Sequence, residues 1–123
     1  MVTPRQRLGA FGERLAAHHL EAAGYTILAR NLRIGRHEID LIARDGTTLV
    51  FVEVRTRRGS AGLAAESLET AKLQRLAAAA FAYCQREGLD PDTTRLDALT
   101  IDLDSAGRTR AIHHYRGIEP PPL

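Results

Sequence analysis

Two acidic residues, Asp40 and Glu53, stand on neighbouring strands of a predicted β-hairpin, where strand positions are usually apolar. Runs of apolar and β-branched residues flank Asp45-Gly46, and such a pair between two runs is typical of a hairpin turn. Hard divalent cations prefer oxygen ligands, so carboxylates gathered on one face of a hairpin could hold one. The hairpin is therefore a candidate metal site.

Side chains alternate between the two faces of a strand, and this alternation predicts how the hairpin pairs. One alternate set on each strand is wholly apolar: Ile39, Leu41 and Ala43 on the first, Val50, Val52 and Val54 on the second. Burying both sets together requires a register in which paired residue numbers sum to an odd value, such as Ala43 with Thr48. Asp40 then lies diagonal to Glu53, roughly 7–8 Å away at Cα, and two carboxylates can close that separation onto one shared ion.

A structural interpretation competes with this one, because most charges on a hairpin are solvated or paired. The polar face also carries Ile42, Leu49 and Phe51, which indicates that both faces of the hairpin are covered. Covered carboxylates need a partner, and Arg55 on the same face could neutralise one of them without any catalysis. The pattern favours a functional cluster over a structural ion pair.

Two helices and three further strands are predicted around the hairpin, in the order α-β-β-β-α-β-β. The first helix covers residues 5–23, with Thr3 as its N-cap, Pro4 at its first position and Gly24 at its end. The other elements are a strand over residues 25–33, a helix over 70–87, and strands over 95–103 and 109–115. A helix between the hairpin and the fourth strand makes a crossover, which predicts a parallel pairing and a mixed sheet.

The length of 123 residues predicts one domain, over residues 1–118, followed by a disordered Pro-rich tail at 119–123. No run approaches the ~18 apolar residues of a membrane span, and the N-terminal residues lack a signal-peptide apolar core, so we expect a cytoplasmic protein without a membrane partner. Cys84 is the only cysteine, which excludes an internal disulfide and a Cys-rich zinc site.

The formal charge of +2 is unevenly placed. Residues 1–58 hold ten Arg and six acidic residues, a net +4, whereas residues 59–123 hold seven basic and nine acidic residues, a net −2. The basic part contains the hairpin and leads into a glycine-bearing loop predicted over residues 57–62. An excess of Arg suits contact with phosphate, but it can also reflect a compositional bias.

Histidine and nucleophile motifs do not support other chemistries. The adjacent pairs His18-His19 and His113-His114 point to different sides of a helix or strand. His37 is an odd number of positions from Asp40 on the same strand, so its side chain should lie on the opposite face. We therefore expect all five histidines to be structural or surface residues. The chain has no Gly-rich phosphate loop and no Ser nucleophile motif, which argues against nucleotide hydrolysis and acyl transfer.

The hairpin motif and its flanking helices closely resemble the YraN family of uncharacterised bacterial proteins. The resemblance rests on Glu38-Ile39-Asp40-Leu41-Ile42, on Phe51-Val52-Glu53-Val54-Arg55-Thr56-Arg57, on Glu13 before them and on Lys72 after them. Gly9-Ala10-Phe11-Gly12-Glu13, Asn31-Leu32-Arg33 and Arg95-Leu96-Asp97 look similar to the family's other landmarks. The family in turn resembles the restriction-endonuclease-like, PD-(D/E)XK nuclease superfamily, which includes Holliday-junction resolvases.

This resemblance implies an α/β protein with a restriction-endonuclease-like fold: a central mixed sheet of about five strands with helices on both sides. It also implies that Asp40, Glu53 and the carbonyl of Val54 bind Mg²⁺ or Mn²⁺, with Glu13 as a supporting catalytic carboxylate. The residue types agree, because such cations take oxygen ligands and keep several waters.

One position departs from the superfamily pattern, because Arg55 stands where a lysine is expected. Arg can hold a phosphate but effectively cannot lose its proton. Lys72, the only lysine of the chain, is therefore a candidate substitute from the second helix. His37, where the family tends to carry Gly, is a milder departure.

Three functions remain open at this point. The first is a metal-dependent endonuclease that acts on DNA, including branched or junction DNA, with Asp40, Glu53, Arg55 and Glu13 as catalytic residues. The expected backbone contacts are Arg57, Arg58, Lys72 and Arg75. The second is a nucleic-acid-binding module of the same fold without turnover, for which Arg55 is the argument. The third is a scaffold for protein partners, and a homodimer stays open by analogy with relatives that cut two strands.

Overall fold

A mixed sheet of five strands lies between two helices in the computed structural model of the protein, which describes residues 1–59 and 64–120. The elements are α1 (Pro4–Ala22), β1 (Thr26–Ile34), β2 (His37–Asp45), β3 (Thr48–Arg58), α2 (Thr70–Glu87), β4 (Thr94–Leu103) and β5 (Thr109–Tyr115). Short 3-10 segments cover Ala64–Ser67 and Pro91–Thr93. The α/β class and the order α-β-β-β-α-β-β are confirmed.

Helix α1 begins where its sequence predicts. The hydroxyl of Thr3 accepts a hydrogen bond from the backbone N–H of Gln6 at 3.1 Å, and the Gln6 side chain accepts one from the N–H of Thr3 at 2.9 Å. This capping box satisfies two backbone donors that a helix start otherwise leaves unpaired. Pro4 occupies the first turn, where its missing N–H costs nothing.

In the hairpin of β2 and β3, the numbers of paired residues sum to an odd value as predicted, but the predicted pair itself is wrong. Ala43 pairs with Val50, and Asp45 pairs with Thr48, so the suggested pairing of Ala43 with Thr48 is wrong by two residues. The reason is the turn: Gly46 adopts a left-handed φ of 62°, and the loop between the closing pair holds only two residues. Continuing this register by one position beyond Leu41–Val52 sets Asp40 directly opposite Glu53, not diagonal to it.

Each face of the sheet carries its own hydrophobic core under one helix. Beneath α1 lie Leu41, Ala43, Val50, Val52, Val54 and the β4 residues Leu99, Ile101 and Leu103. Beneath α2 lie Ile39, Ile42 and Phe51, together with Leu76, Ala79, Ala80 and Cys84 of the helix. The covered faces and the helices on both sides of the sheet are as expected, and Cys84 is a buried core residue.

Ile39 is an exception to the predicted faces, because it packs with the α2 core and not with Leu41. The β1–β2 ladder pairs Arg30 with Leu41 and Leu32 with Ile39, and it skips the position between them, where Asn31 and Asp40 stand. Asn31 has a left-handed φ of 49°, which few residues other than Gly, Asn and Asp adopt readily. The alternation of β2 therefore breaks at Asp40.

The α2 crossover joins β3 to β4 in parallel, as predicted. Strand β5 pairs antiparallel with β4 at the sheet edge. Because β4 runs beside β3 up to the pair Arg58–Leu103, both Arg57 and Arg58 are strand residues. Their placement in a loop over residues 57–62 is thus wrong, and residues 60–62 of that loop lie outside the described residues.

A buried ion cluster closes the opposite end of the sheet, around Asp97 of β4. The Asp97 carboxylate accepts hydrogen bonds from the side chain of Arg95, at 2.9 and 3.1 Å, and from the backbone N–H of Gly117. His114 lies 2.7 Å from the same carboxylate. Arg95 also donates to Asp45 beside the hairpin turn, at 3.0 Å, so the cluster ties β4, β5 and the hairpin together. It assigns structural roles to His114 and to the Arg95-Leu96-Asp97 landmark.

Within residues 1–59 and 64–120, no helix is both long and apolar enough to cross a membrane. The tail predicted over residues 119–123 falls mostly outside the described part of the chain, which ends at Pro120.

Candidate functional site

Asp40 and Glu53 lie side by side where β2 and β3 stop pairing. The ladder between the two strands ends at Leu41–Val52. One position further on, the Oδ2 atom of Asp40 accepts a hydrogen bond from the backbone N–H of Val54, at 2.8 Å. The carboxyl groups of Asp40 and Glu53 line the same two pockets and lie close enough for each to shift the pKa of the other. The predicted convergence of the two acids on one side of the hairpin is therefore present.

The close approach of the two carboxyls changes their protonation. The pKa of Glu53 is raised to about 7, first by burial and then by the nearby charge of Asp40, against the opposing charges of Arg55 and Lys72. Burial also raises the pKa of Asp40, although the Val54 N–H lowers it in part. Two such neighbours cannot both ionise easily, so the pKa of each is raised by their proximity and burial.

Glu13 reaches the same place from α1. Burial raises its pKa, the charge of Asp40 adds to this, and a hydrogen bond with the Asn31 side chain opposes it. The helix comes close to the sheet here because Gly12 has no side chain: a Cβ at this position would lie 1.8 Å from the hydroxyl oxygen of Thr56. Gly12 therefore allows α1 to pack close to the sheet, which brings Glu13 near Asp40.

Two adjoining pockets make up a crevice around the carboxylates. The larger, of about 560 Å³, is lined by Glu13, Asp40, Glu53 and Val54 and by four of the predicted cations, Arg55, Arg57, Arg58 and Lys72. The smaller, of about 250 Å³, contains the remaining predicted residue, Arg75. Both pockets share Asp40, Glu53, Arg55 and Lys72, so these four form the middle of the crevice.

Lys72 stands in the first turn of α2 and faces this middle. Burial lowers its pKa, the neighbouring charge of Arg55 lowers it further, and Glu53 opposes the shift. An ammonium and a guanidinium thus flank the carboxyl pair, from α2 and from β3. This arrangement suits an anion that approaches the acids, because two cations can bind its oxygens while the acids face it.

The donor set defines which cation would suit the site. Across residues 1–59 and 64–120, no group of three or more His, Cys, Asp and Glu side chains has the placement to hold a metal ion. Two neighbouring carboxyls are present, however, in a crevice that is open to solvent. Mg²⁺ is commonly bound by one or two carboxylates and keeps several waters, so Asp40 and Glu53 fit a hard divalent cation of this kind.

Several residues of the site were not assigned a role from the sequence. Asn31 and Gly12 lie in motifs that carried the family resemblance, yet only the structure shows that they position Glu13 and Asp40. Two signals in the sequence were available: Asn31, because Asn adopts a left-handed φ more readily than most residues, and Gly12, a glycine inside an amphipathic helix. Arg5, Arg36 and His37 also line the crevice, although His37 was expected only as a structural or surface residue.

Fold and site together define a small α/β protein with a carboxyl pair in a cation-lined crevice. Comparison with known sequences then gives the family: the profile of "Uncharacterised protein family UPF0102" matches residues 12–101. The UPF0102 protein of Symbiobacterium thermophilum is 47% identical over 106 residues, covering 85% of this chain and 90% of its own. That of Chloroflexus aurantiacus is 50% identical over 107 residues, covering 87% of each chain. That of Corynebacterium efficiens is 42% identical over 121 residues, covering 97% of each.

The chain belongs to the UPF0102 family, which confirms the resemblance to the YraN family. The match begins at Gly12, the residue that holds α1 close to the sheet, and it extends through the hairpin and α2 to Ile101 of β4.

Proposed function

We propose that this protein is a metal-dependent endonuclease that hydrolyses phosphodiester bonds in DNA, with branched or junction DNA among its substrates. One observation supports the proposal above all: the neighbouring carboxyls of Asp40 and Glu53 lie with the cations Arg55 and Lys72 in an open crevice. Neutralising the pair needs one or two cations, whereas Arg55, Arg57, Arg58 and Lys72 all line the larger pocket beside it. The resemblance to the PD-(D/E)XK superfamily points to the same chemistry.

Asp40, Glu53 and the Val54 carbonyl would hold Mg²⁺ or Mn²⁺. When bound, such an ion offsets charge on a scissile phosphate and lowers the pKa of a water. The hydrogen bond from Val54 keeps Asp40 turned toward Glu53, so both carboxyls meet the ion without rearrangement. Glu13, near Asp40 in the larger pocket, adds a third carboxyl to the site.

The cations bind the substrate. Arg55 presents a guanidinium that can hold two phosphate oxygens at once, which orients the phosphate toward the carboxyl pair. Lys72 contributes a compact ammonium from the opposite side, and we assign to it the role of the superfamily lysine. Arg57, Arg58 and Arg75 extend the positive lining for backbone contact.

A cleavage assay tests the proposal. Purified protein with Mg²⁺ or Mn²⁺ should cut at least one of a four-way junction, a flap and a single-stranded DNA, and EDTA should abolish the cut. Asp40→Asn and Glu53→Gln should each lose activity, whereas Asp92→Asn, an exposed acid of the second 3-10 segment, should retain it. Failure to cut any of the three substrates with either ion would contradict the proposal.

A second candidate is a nucleic-acid-binding module of the same fold without turnover. The observation that favours it is Arg55 at the lysine position, since a guanidinium cannot give up a proton. Binding of junction DNA that depends on Arg55 and Arg57, without metal-dependent cleavage, would select this candidate. If the protein neither binds nor cuts DNA, the remaining candidate is a scaffold for protein partners, in which the carboxyls serve only in ion pairs.

A further inference from the structure

The smaller pocket of the crevice carries its own group of cations. It is lined by Arg36 and His37, at the turn between β1 and β2, and by Arg75 of α2, with Glu38 as the single acid beyond the shared residues. Arg36 and Arg75 are both exposed, and Arg75 stands in the second turn of α2. These residues come from three elements and converge only in the folded protein.

The larger pocket carries a second group, on the other side of the carboxyls. Arg5 of α1 and Arg57 of β3 line it, together with Arg58. Arg58 is held in place, because its guanidinium donates two hydrogen bonds to the carbonyl of Ser105, at 3.2 and 3.0 Å. Neither Arg36 nor Arg75 lines this pocket, and neither Arg5 nor Arg57 lines the smaller one.

The carboxyl pair therefore stands between two separate cationic groups. We propose that Arg36, His37 and Arg75 form a second backbone-binding subsite, so that one polynucleotide strand runs through the crevice and contacts both groups at once. The inference rests on the proposed function, because it takes the strand to be a nucleic acid. Its added content is that the acids face an internal phosphate, with bound backbone on both sides.

The alternative geometry, a site at the end of a strand, needs cations on one side only. Here the path continues beyond the carboxyls into a lined pocket of about 250 Å³. Phosphate contacts position a strand and add to its affinity, and each one neutralised makes binding more salt-dependent. Two subsites on one strand should thus act together, as two linked binding sites do.

Binding of fluorescein-labelled single-stranded dT4 to dT20, measured by anisotropy in EDTA, tests the inference without cleavage. Wild-type affinity should rise with length until a strand spans both subsites. Arg36→Glu/Arg75→Glu and Arg5→Glu/Arg57→Glu should each lose roughly tenfold in affinity for dT20. Each pair should also lower the salt slope by about 1.4, since a single strand contributes about 0.7 per phosphate. For both double variants, affinity should stop rising at a shorter DNA length than for the wild type.

Arg86→Glu/Arg110→Glu is the matched control, because it makes the same change of charge with residues that do not line the crevice. It should bind dT20 within a factor of about three of the wild type, and circular dichroism should show all three variants folded. If Arg36→Glu/Arg75→Glu binds dT20 with the affinity and salt slope of the control, the second subsite does not exist.

The same experiment separates this inference from the endonuclease proposal. Cooperation of the two subsites in a protein that never cuts would support the through-running strand and overturn the nuclease. Metal-dependent cutting, with Arg36→Glu/Arg75→Glu still binding like the control, would support the nuclease and overturn the inference. Absence of binding to dT20 by the wild type would overturn the inference outright.

Discussion

The carboxylate of Asp40 accepts a hydrogen bond from the backbone N–H of Val54 at 2.8 Å, across the point where β2 and β3 separate. In a regular antiparallel ladder that N–H would bond to a neighbouring strand. Here the side chain of Asp40 accepts this hydrogen bond in place of a strand carbonyl, and the bond holds the Asp40 carboxylate on the side of β3 where Glu53 lies. The break in alternation opposite Asn31 makes this orientation available.

The free energy of unfolding should depend on pH through Glu53. The pKa of Glu53 is about 7 in the folded protein and 4.5 in its ordinary state, so the folded protein binds more protons between these values. The metal-free protein should therefore gain stability as pH falls from about 7 toward 4.5, and the ionised Glu53 should destabilise it above pH 7. Glu53→Gln should remove this contribution.

Thermal unfolding in EDTA at several pH values, for wild type and Glu53→Gln, measures this difference. Above pH 7 the variant should be the more stable protein, and its advantage should shrink on acidification. Identical pH profiles for the two proteins would show that Glu53 titrates as an ordinary surface acid.

Gly12→Ala should destabilise the protein, because the new Cβ would overlap the hydroxyl of Thr56. Overpacking of this kind costs about 1–3 kcal/mol. Gly9→Ala is the control in the same helix: its Cβ would meet nothing within 4 Å, and alanine favours a helix by up to about 1 kcal/mol over glycine. Urea denaturation should therefore give opposite signs for the two substitutions, and equal effects would contradict the close helix contact.

Asp97→Asn should be the most damaging of the conservative acid substitutions. Asp97 is fully buried and binds Arg95, His114 and the Gly117 N–H. Removing its charge leaves the Arg95 guanidinium without its main partner, and breaking a buried pair costs about 3–5 kcal/mol. Asp92→Asn, at an exposed position, should change the free energy of unfolding by less than about 0.5 kcal/mol. Similar values for both would argue that the cluster is not structural.

Lys72→Ala should abolish metal-dependent cleavage while Mn²⁺ binding persists, because the carboxyls and not the ammonium hold the ion. Lys72→Arg keeps the positive charge but not a proton that can be lost, so it should restore DNA binding without restoring the rate. Single-turnover cleavage and anisotropy, measured on the same substrate, separate the two effects. If Lys72→Ala cuts like the wild type while Asp40→Ala does not cut, Lys72 has no such role.

Local patterns in the sequence predicted most of the fold. The cap at Thr3, the two helices, the crossover and the parity of the hairpin all follow from short-range periodicity and turn residues. The exact register did not, since it depends on how many residues close the turn at Gly46. The position of Ile39 was also missed, because the break beside it involves Asn31 on another strand.

The candidate site divides in the same way. Asp40 and Glu53 could be brought together from parity alone, whereas Glu13, Val54 and Lys72 were assigned only by resemblance or by elimination. Arg36 could not be found from the sequence, because it meets Arg75 only after α2 crosses the sheet. Contacts between elements distant in the chain decide which of many surface arginines line a crevice.

Calorimetric titration with Mn²⁺ tests the central claim most directly, since it measures the ion at the carboxyl pair without any substrate. The wild-type protein should bind Mn²⁺ and release protons at neutral pH, because Glu53, with its pKa raised to about 7, is partly protonated there and must lose its proton to bind the ion. Asp40→Asn should lose this binding, and Asp92→Asn should keep it. Equal Mn²⁺ binding by wild type and Asp40→Asn, or no binding by the wild type, would contradict a metal site at these residues.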